Sequence, residues 1–143
     1  MSEELLPRLK RALELLLERG REVEVELEET LIEDLPLPEE VDWKLHAEVL
    51  HEWVPEAIRE LLSEAGVRNP LIRHLKDDID APEYIAEGVA ELGGREARVT
   101  AYLDVLVDYE AGEAALLYAR LALGKPPASL LPYYHPVPGV LDP

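Results

Sequence analysis

The stretch ARVTAYLDVLVDYEAGEAALLYARLAL, residues 97–123, decides how the rest of the chain is read. Its odd positions run Ala97, Val99, Ala101, Leu103, Val105, Val107 and Tyr109, the two-residue period of a strand with one apolar face. After Glu110, Ala111 and Gly112 the odd positions continue as Ala115, Leu117, Ala119, Leu121 and Leu123. A three-residue hairpin loop with Gly112 in the left-handed region pairs Tyr109 with Glu113 and brings both apolar rows to one face. The same register sets Val105 against Leu117, Leu103 against Ala119, Leu106 against Leu116, Asp104 near Tyr118 and Tyr102 near Arg120. A helix over 113–123 competes, since Ala and Leu favour helix and Gly124 can cap it. The loop length and the matching parity favour the hairpin.

A third strand is expected at about 21–32, where REVEVELEET places Glu22, Glu24, Glu26 and Glu28 opposite Val23, Val25 and Leu27. Leu5, Leu9, Leu13, Leu16 and Leu17 recur at helical spacing over about 5–19, ahead of Gly20. Pro38 and Glu39–Glu40 open a second helix at about 39–65. At 100° per residue Trp43, His46, Ala47, Leu50, Trp53, Val54, Ala57 and Leu61 share its core face. Pro55 lies within it and cannot donate to the carbonyl of His51, so it kinks or divides the helix. Asn69 as cap with Pro70 after it reads as a short helix to 78, and the Asp80/Glu83 capping-box spacing as a helix over 81–92 ended by Gly93–Gly94. The expected fold is α+β: an antiparallel sheet of about three strands (21–32, 96–109, 113–123) with four helices (5–19, 39–65, 70–78, 81–92) on one face. Residues 1–125 form one domain. Six prolines among residues 126–143 make an extended tail, docked on the domain or on a partner subunit through Leu130, Leu131, Tyr133 and Tyr134.

Composition limits the function classes. The 143 residues are 48% hydrophobic, enough for a sizeable core, yet carry a net charge of −17. Such a field repels phosphodiester backbones and anionic lipid, so neither nucleic acid nor a membrane surface is expected as partner. With no cysteine, disulfides and thiolate chemistry are excluded. No apolar run approaches the ~20 residues of a membrane span, and the first residues do not read as a secretory signal. A cytoplasmic protein is expected. Abundant proline and charge, with no Gln and a single Asn, point to a thermophile.

The even positions of the hairpin point away from the helices, and they include Tyr102, Leu106, Leu116, Tyr118 and Arg120. Leu, Tyr and Arg together are interface chemistry, so a homodimer is expected through this face, with Tyr133 and Tyr134 of the tail joining it. Cover by the chain's own tail or a helix is the competing reading. The glutamate row is cheap in water, where unit charges 6.5–7 Å apart repel by ~0.6 kcal/mol. If covered beside the hairpin, Glu24 and Glu26 would approach Asp104 and offer hard oxygen ligands to Mg²⁺ or Mn²⁺. A solvated edge that discourages sheet aggregation is the alternative. His46, between Trp43 and Trp53, lines a possible small-ligand pocket or is a buried, hydrogen-bonded core histidine. His46 and His51 are five apart, which does not suit joint chelation from one helix face. LDVLVDYEAG (103–112) is similar to the Asp-bearing hairpins of metal-dependent nucleases, but Glu110 stands where they carry lysine. No catalytic residues and no cofactor are assigned. The expected function is a non-enzymatic, self-associating module with an acidic surface for a basic partner; the alternative is a metal-dependent hydrolase using Glu24, Glu26 and Asp104.

Overall fold

The computed structural model describes residues 5–19, 22–35, 43–76 and 81–124, without the side chains of residues 19, 43 and 76. The elements in chain order are α1 (Leu5–Arg19), β1 (Glu22–Ile32), α2 (Trp43–Glu48), a π turn (Val49–Trp53), α3 (Val54–Glu64), β2 (Val67–Lys76), β3 (Glu83–Leu92), β4 (Arg95–Asp108) and β5 (Glu113–Leu123). The five strands form one antiparallel sheet in the order β1-β5-β4-β3-β2. Leu5, Leu9, Ala12, Leu13 and Leu16 of α1, with Val54, Ile58, Leu61 and Leu62 of α3, pack on its inner face. That face presents Val99, Ala101, Leu103, Val105 and Val107 of β4, the odd row read from the sequence.

The expectation of about three strands is corrected to five: of the segments read as helices at 70–78 and 81–92, residues 70–76 belong to strand β2 and 83–92 to strand β3, and 77–78 lie outside the described residues. The signals there were local ones. Asn69, read as a helix cap, adopts φ +52° at a bulge between the pairs Arg68/Val89 and Leu71/Glu87. Pro70 follows on the edge strand, where a missing N–H costs no ladder bond. Gly93–Gly94, read as a helix end, forms a two-residue hairpin loop between Leu92 and Arg95. Both glycines have positive φ, as the primed turns that match strand twist require. The α+β class stands, with sheet predominating.

Residues 113–123 are a strand, and the loop before it holds four residues, 109–112, because Asp108 pairs with Glu113. The Asp108 side chain closes it by accepting from the amides of Glu110 and Ala111, both at 3.0 Å. Near the loop the pairing is therefore one residue off the expected register: Val107 faces Ala114 and Val105 faces Leu116. A bulge at Leu117 takes up the difference, so Asp104/Tyr118, Leu103/Ala119 and Tyr102/Arg120 pair as the sequence reading had them.

The long helix is interrupted where Pro55 demands it. Lacking an N–H, Pro55 leaves the carbonyl four residues back without its donor, and the chain widens one turn earlier: the Val54 amide reaches the Val49 carbonyl, five back. The extra residue resets the helical phase. Val49 and Leu50 are buried before it and Val54, Ile58 and Leu61 after it, while Ala47 and Trp53, expected on the core face, are exposed. Among the described residues no helix is long and apolar enough to cross a membrane.

Candidate functional site

Strand β1 lies beside β5, so the glutamates of REVEVELEET do share the outer face with the hairpin. The register sets Glu22 beside Ala122, Glu24 beside Arg120 and Glu26 beside Tyr118. The row stops there. Glu28 takes φ +48° in a bulge between Glu26 and Glu29, and Arg8 of α1 donates to the carbonyls of Glu26 and Leu27, the latter at 2.9 Å. An arginine at the fourth position of α1 thus satisfies backbone acceptors on the edge strand, a role its position in the sequence does not announce.

Strand β5 separates Glu24 and Glu26 from Asp104, the third proposed metal ligand. Glu26 and Asp104 flank Tyr118 from opposite sides, about 9–10 Å apart at two strand spacings. Glu24 is held by Arg120, whose guanidinium also donates from Nε to the Tyr118 hydroxyl at 3.1 Å. Burial alone would lower the Arg120 pKa, but its bonds to Tyr118 and Glu24 outweigh that and raise it. Burial raises the Tyr118 pKa, partly offset by the same bond to Arg120. Among the described residues no three His, Asp or Glu side chains are grouped to hold a metal ion.

Tyr102, Tyr118 and Arg120 come together on this outer face. The two tyrosine rings meet edge to face at 6.0 Å, and the Tyr102 hydroxyl donates to Glu83 at 2.7 Å. Ile85 and Leu75 pack with Tyr102 in a small second apolar cluster. Leu106 lies farther along, 42% exposed. Leu116 is not among them: the bulge turns it to the helix side, where it is fully buried. Tyr133 and Tyr134 lie outside the described residues, as does the tail.

Of the three residues read as a pocket, His46 and Trp53 have different surroundings. His46 of α2 meets Tyr109 of the hairpin, with Nδ1 3.0 Å from the phenol and the rings edge to face at 4.8 Å. Burial raises the Tyr109 pKa, so the phenol stays protonated and available as a donor. Trp43 is described only in its backbone. His51 stands edge to face with His74 at 4.6 Å, and His74 stacks on buried Tyr84, whose hydroxyl donates to the Leu50 carbonyl at 2.5 Å. Trp53 opens elsewhere.

It opens into a groove of about 620 Å³ between the end of β1 and the helix. Leu31, Ile32 and Ala57 supply apolar surface, and the 38%-exposed indole of Trp53 stands among Glu33, Glu52, Glu56 and Glu60. Glu52, Glu56 and Glu60 recur every fourth residue, so they form one stripe along the π turn and α3. Of the four carboxylates only Glu56 has a cationic partner among the described residues, Arg59 one turn on. The stripe is legible in the sequence as a solvated helix face. Its conversion into one wall of a groove is not, because Glu33 and the apolar floor arrive from β1. The chain matches no known family model, no curated protein and no solved structure.

Proposed function

We propose that the protein is a non-enzymatic binding module whose acidic groove seats a basic segment of a partner protein. The observation that carries this reading is the exposed indole of Trp53 set among four glutamates in a concave, partly apolar groove. An indole face and carboxylates favour the same kind of ligand, since both attract a cation with an apolar stem. The chain's net charge of −17 adds long-range attraction and speeds encounter with basic partners. Titration with a Lys/Arg-rich peptide is expected to give binding that weakens with salt. The E52Q/E56Q/E60Q variant removes three exposed pairings worth about 0.2–1 kcal/mol each, a loss of roughly 3- to 150-fold. An unchanged affinity in that variant, or no binding by the parent protein, would refute the reading.

Self-association through the outer sheet face is a second reading. Leu106, on the strand that carries Tyr102, and Leu71, on the far edge strand β2, are exposed on that face, 42% and 47%. Light scattering after size exclusion is expected to give twice the chain mass, and Leu106→Glu to return it to one chain. A parent protein that runs as a monomer at high micromolar concentration rules out the dimer.

A further inference from the structure

One strip of the outer sheet face is closed to solvent, although the described helices pack on the other side. Ala122 of β5, Thr100 of β4 and Glu87 of β3 stand in one cross-strand row, and Arg120, Tyr102, Ile85 and Arg73 in the next. Thr100, Ile85 and Ala122 are 0%, 1% and 3% exposed, and the side chains of Glu87 and Arg73 only 13% and 17%. Leu106, on the same strand and face as Thr100, keeps 42%. Side chains on a sheet stand upright beside one another, which shields their flanks and leaves their tips to solvent. The buried residues of α1, the π turn and α3 all belong to the cluster on the inner face. A strip this closed calls for a layer above it.

The chain itself turns onto this strip. Thr100 points to the outer face, and its hydroxyl donates to the carbonyl of Gly124 at 2.5 Å. The Gly124 amide donates to the Arg98 carbonyl at 2.7 Å, and its φ of +80° is open to glycine without strain. The backbone thus leaves β5 by bending over β4 on the outer side, at the head of the strip. Residues 125–143 follow, and only Lys125 and Asp142 among them are charged, with His135 neutral. A charge-poor segment loses little hydration when laid on an apolar surface. Pro126 and Pro127 have no N–H, so they bring no donor that the strip would leave unpaired. From Thr100 to Ile85 is one strand spacing across and two residues along, roughly 8 Å, which three residues of extended chain span at about 3.1 Å each. The other stretches outside the described residues are less well placed. Residues 36–42 follow Leu35, which belongs to the inner-face cluster, and 77–80 join β2 to β3 beyond the Lys76/Glu83 pair, away from Thr100.

We infer that residues 125–131 cross the outer face of their own chain as a strap over Thr100, Ile85 and Arg73, with Leu130 and Leu131 closing its far end. The strap is independent of the acidic groove, and it leaves Leu106 and Leu71 at its margins as the surface open to a second copy. The test uses the full chain, which has no cysteine of its own. Ile85→Cys is expected to react with a maleimide at least about tenfold more slowly than Arg98→Cys, on the same face with a side chain 56% exposed. Replacing residues 126–134 by a Gly/Ser stretch of equal length is expected to remove most of that difference. In the Ile85→Cys/Ser129→Cys variant, a short bifunctional maleimide is expected to give a cross-linked product of one-chain mass under denaturing conditions. Equal reactivity of Ile85→Cys and Arg98→Cys overturns the cover. Slow reaction that persists in the Gly/Ser variant overturns the tail as its source and assigns the burial to the neighbouring side chains. A cross-link that is absent, or found only at two-chain mass, overturns the strap within one chain. The cross-link decides by itself should the Gly/Ser variant not fold.

Discussion

Replacing Leu116 by alanine is expected to lower the unfolding free energy by about 2–5 kcal/mol, the range for emptying a leucine site in a packed core. At roughly 3 °C per kcal/mol for a chain of this size, that is a fall in Tm of about 6–15 °C. The effect depends on one irregularity. Strict alternation along β5 puts Leu116 on the outer face with Tyr118 and Arg120, where truncation would leave stability nearly unchanged and weaken association. The bulge at Leu117 instead sends Leu116 into the core, with no exposed surface, opposite Val105. Leu106→Ala, at a position 42% exposed, supplies the comparison and is expected to change stability by no more than about 0.5 kcal/mol. Urea unfolding of both variants separates the two placements. Should Leu116→Ala, like Leu106→Ala, unfold as the parent chain does, the bulge is misplaced and the alternating register stands.

Gly88→Ala is the next largest effect, about 1–3 kcal/mol of destabilisation from overpacking. Gly88 has no unusual backbone conformation to protect; the obstacle is space. A Cβ at this position would lie 2.4 Å from Cγ1 of Val67 and 2.9 Å from the carbonyl oxygen of Arg68. The bulge at Asn69–Pro70 holds β2 this close to β3, so the absent side chain of Gly88 is what lets the edge strand approach. The two contacts differ in kind. A valine methyl can move or be removed, whereas a backbone oxygen in the ladder cannot. Val67→Ala in the same chain is therefore expected to recover only part of the loss, because the clash with Arg68 persists. Full recovery in a double-mutant cycle would show that the side-chain contact is the whole cost.

Much of the fold was legible. The odd row of β4, the strand character of 113–123 and the interruption at Pro55 are each repeated or strongly local signals, and each recurs in the structure. Of the leucines read as one stripe on α1, Leu5, Leu9, Leu13 and Leu16 are buried, whereas Leu17 is 51% exposed. The β2–β3 hairpin was not, and the reason is energetic. Asn before Pro, a capping-box spacing and Ala/Glu-rich composition each favour helix by about 1 kcal/mol or less per position. Against them stand the burial of Tyr84, Ala86 and Ala90 on the inner face and two long ladders, β2 with β3 and β3 with β4. Those gains exist only once β4 is in place to pair with. No window of ten residues contains that information.

The candidate site divides along the same line. That Glu22, Glu24 and Glu26 sit on one side of a strand, and that Glu52, Glu56 and Glu60 sit on one side of a helix, follows from period alone. Whether either row is a site depends on its neighbours. In the first row Glu24 is bonded to Arg120 on β5, and the width of that strand keeps the row from Asp104. The second is joined by Glu33, Leu31 and Ile32 from β1 and by a tryptophan that the π turn swings outward. Spacing along the chain thus determined which side chains point together. Tertiary structure decided what they face, because a bulge reverses a strand side chain, and one extra helical residue turns those after it by about 100°, for the cost of about one hydrogen bond and with composition and charge unchanged.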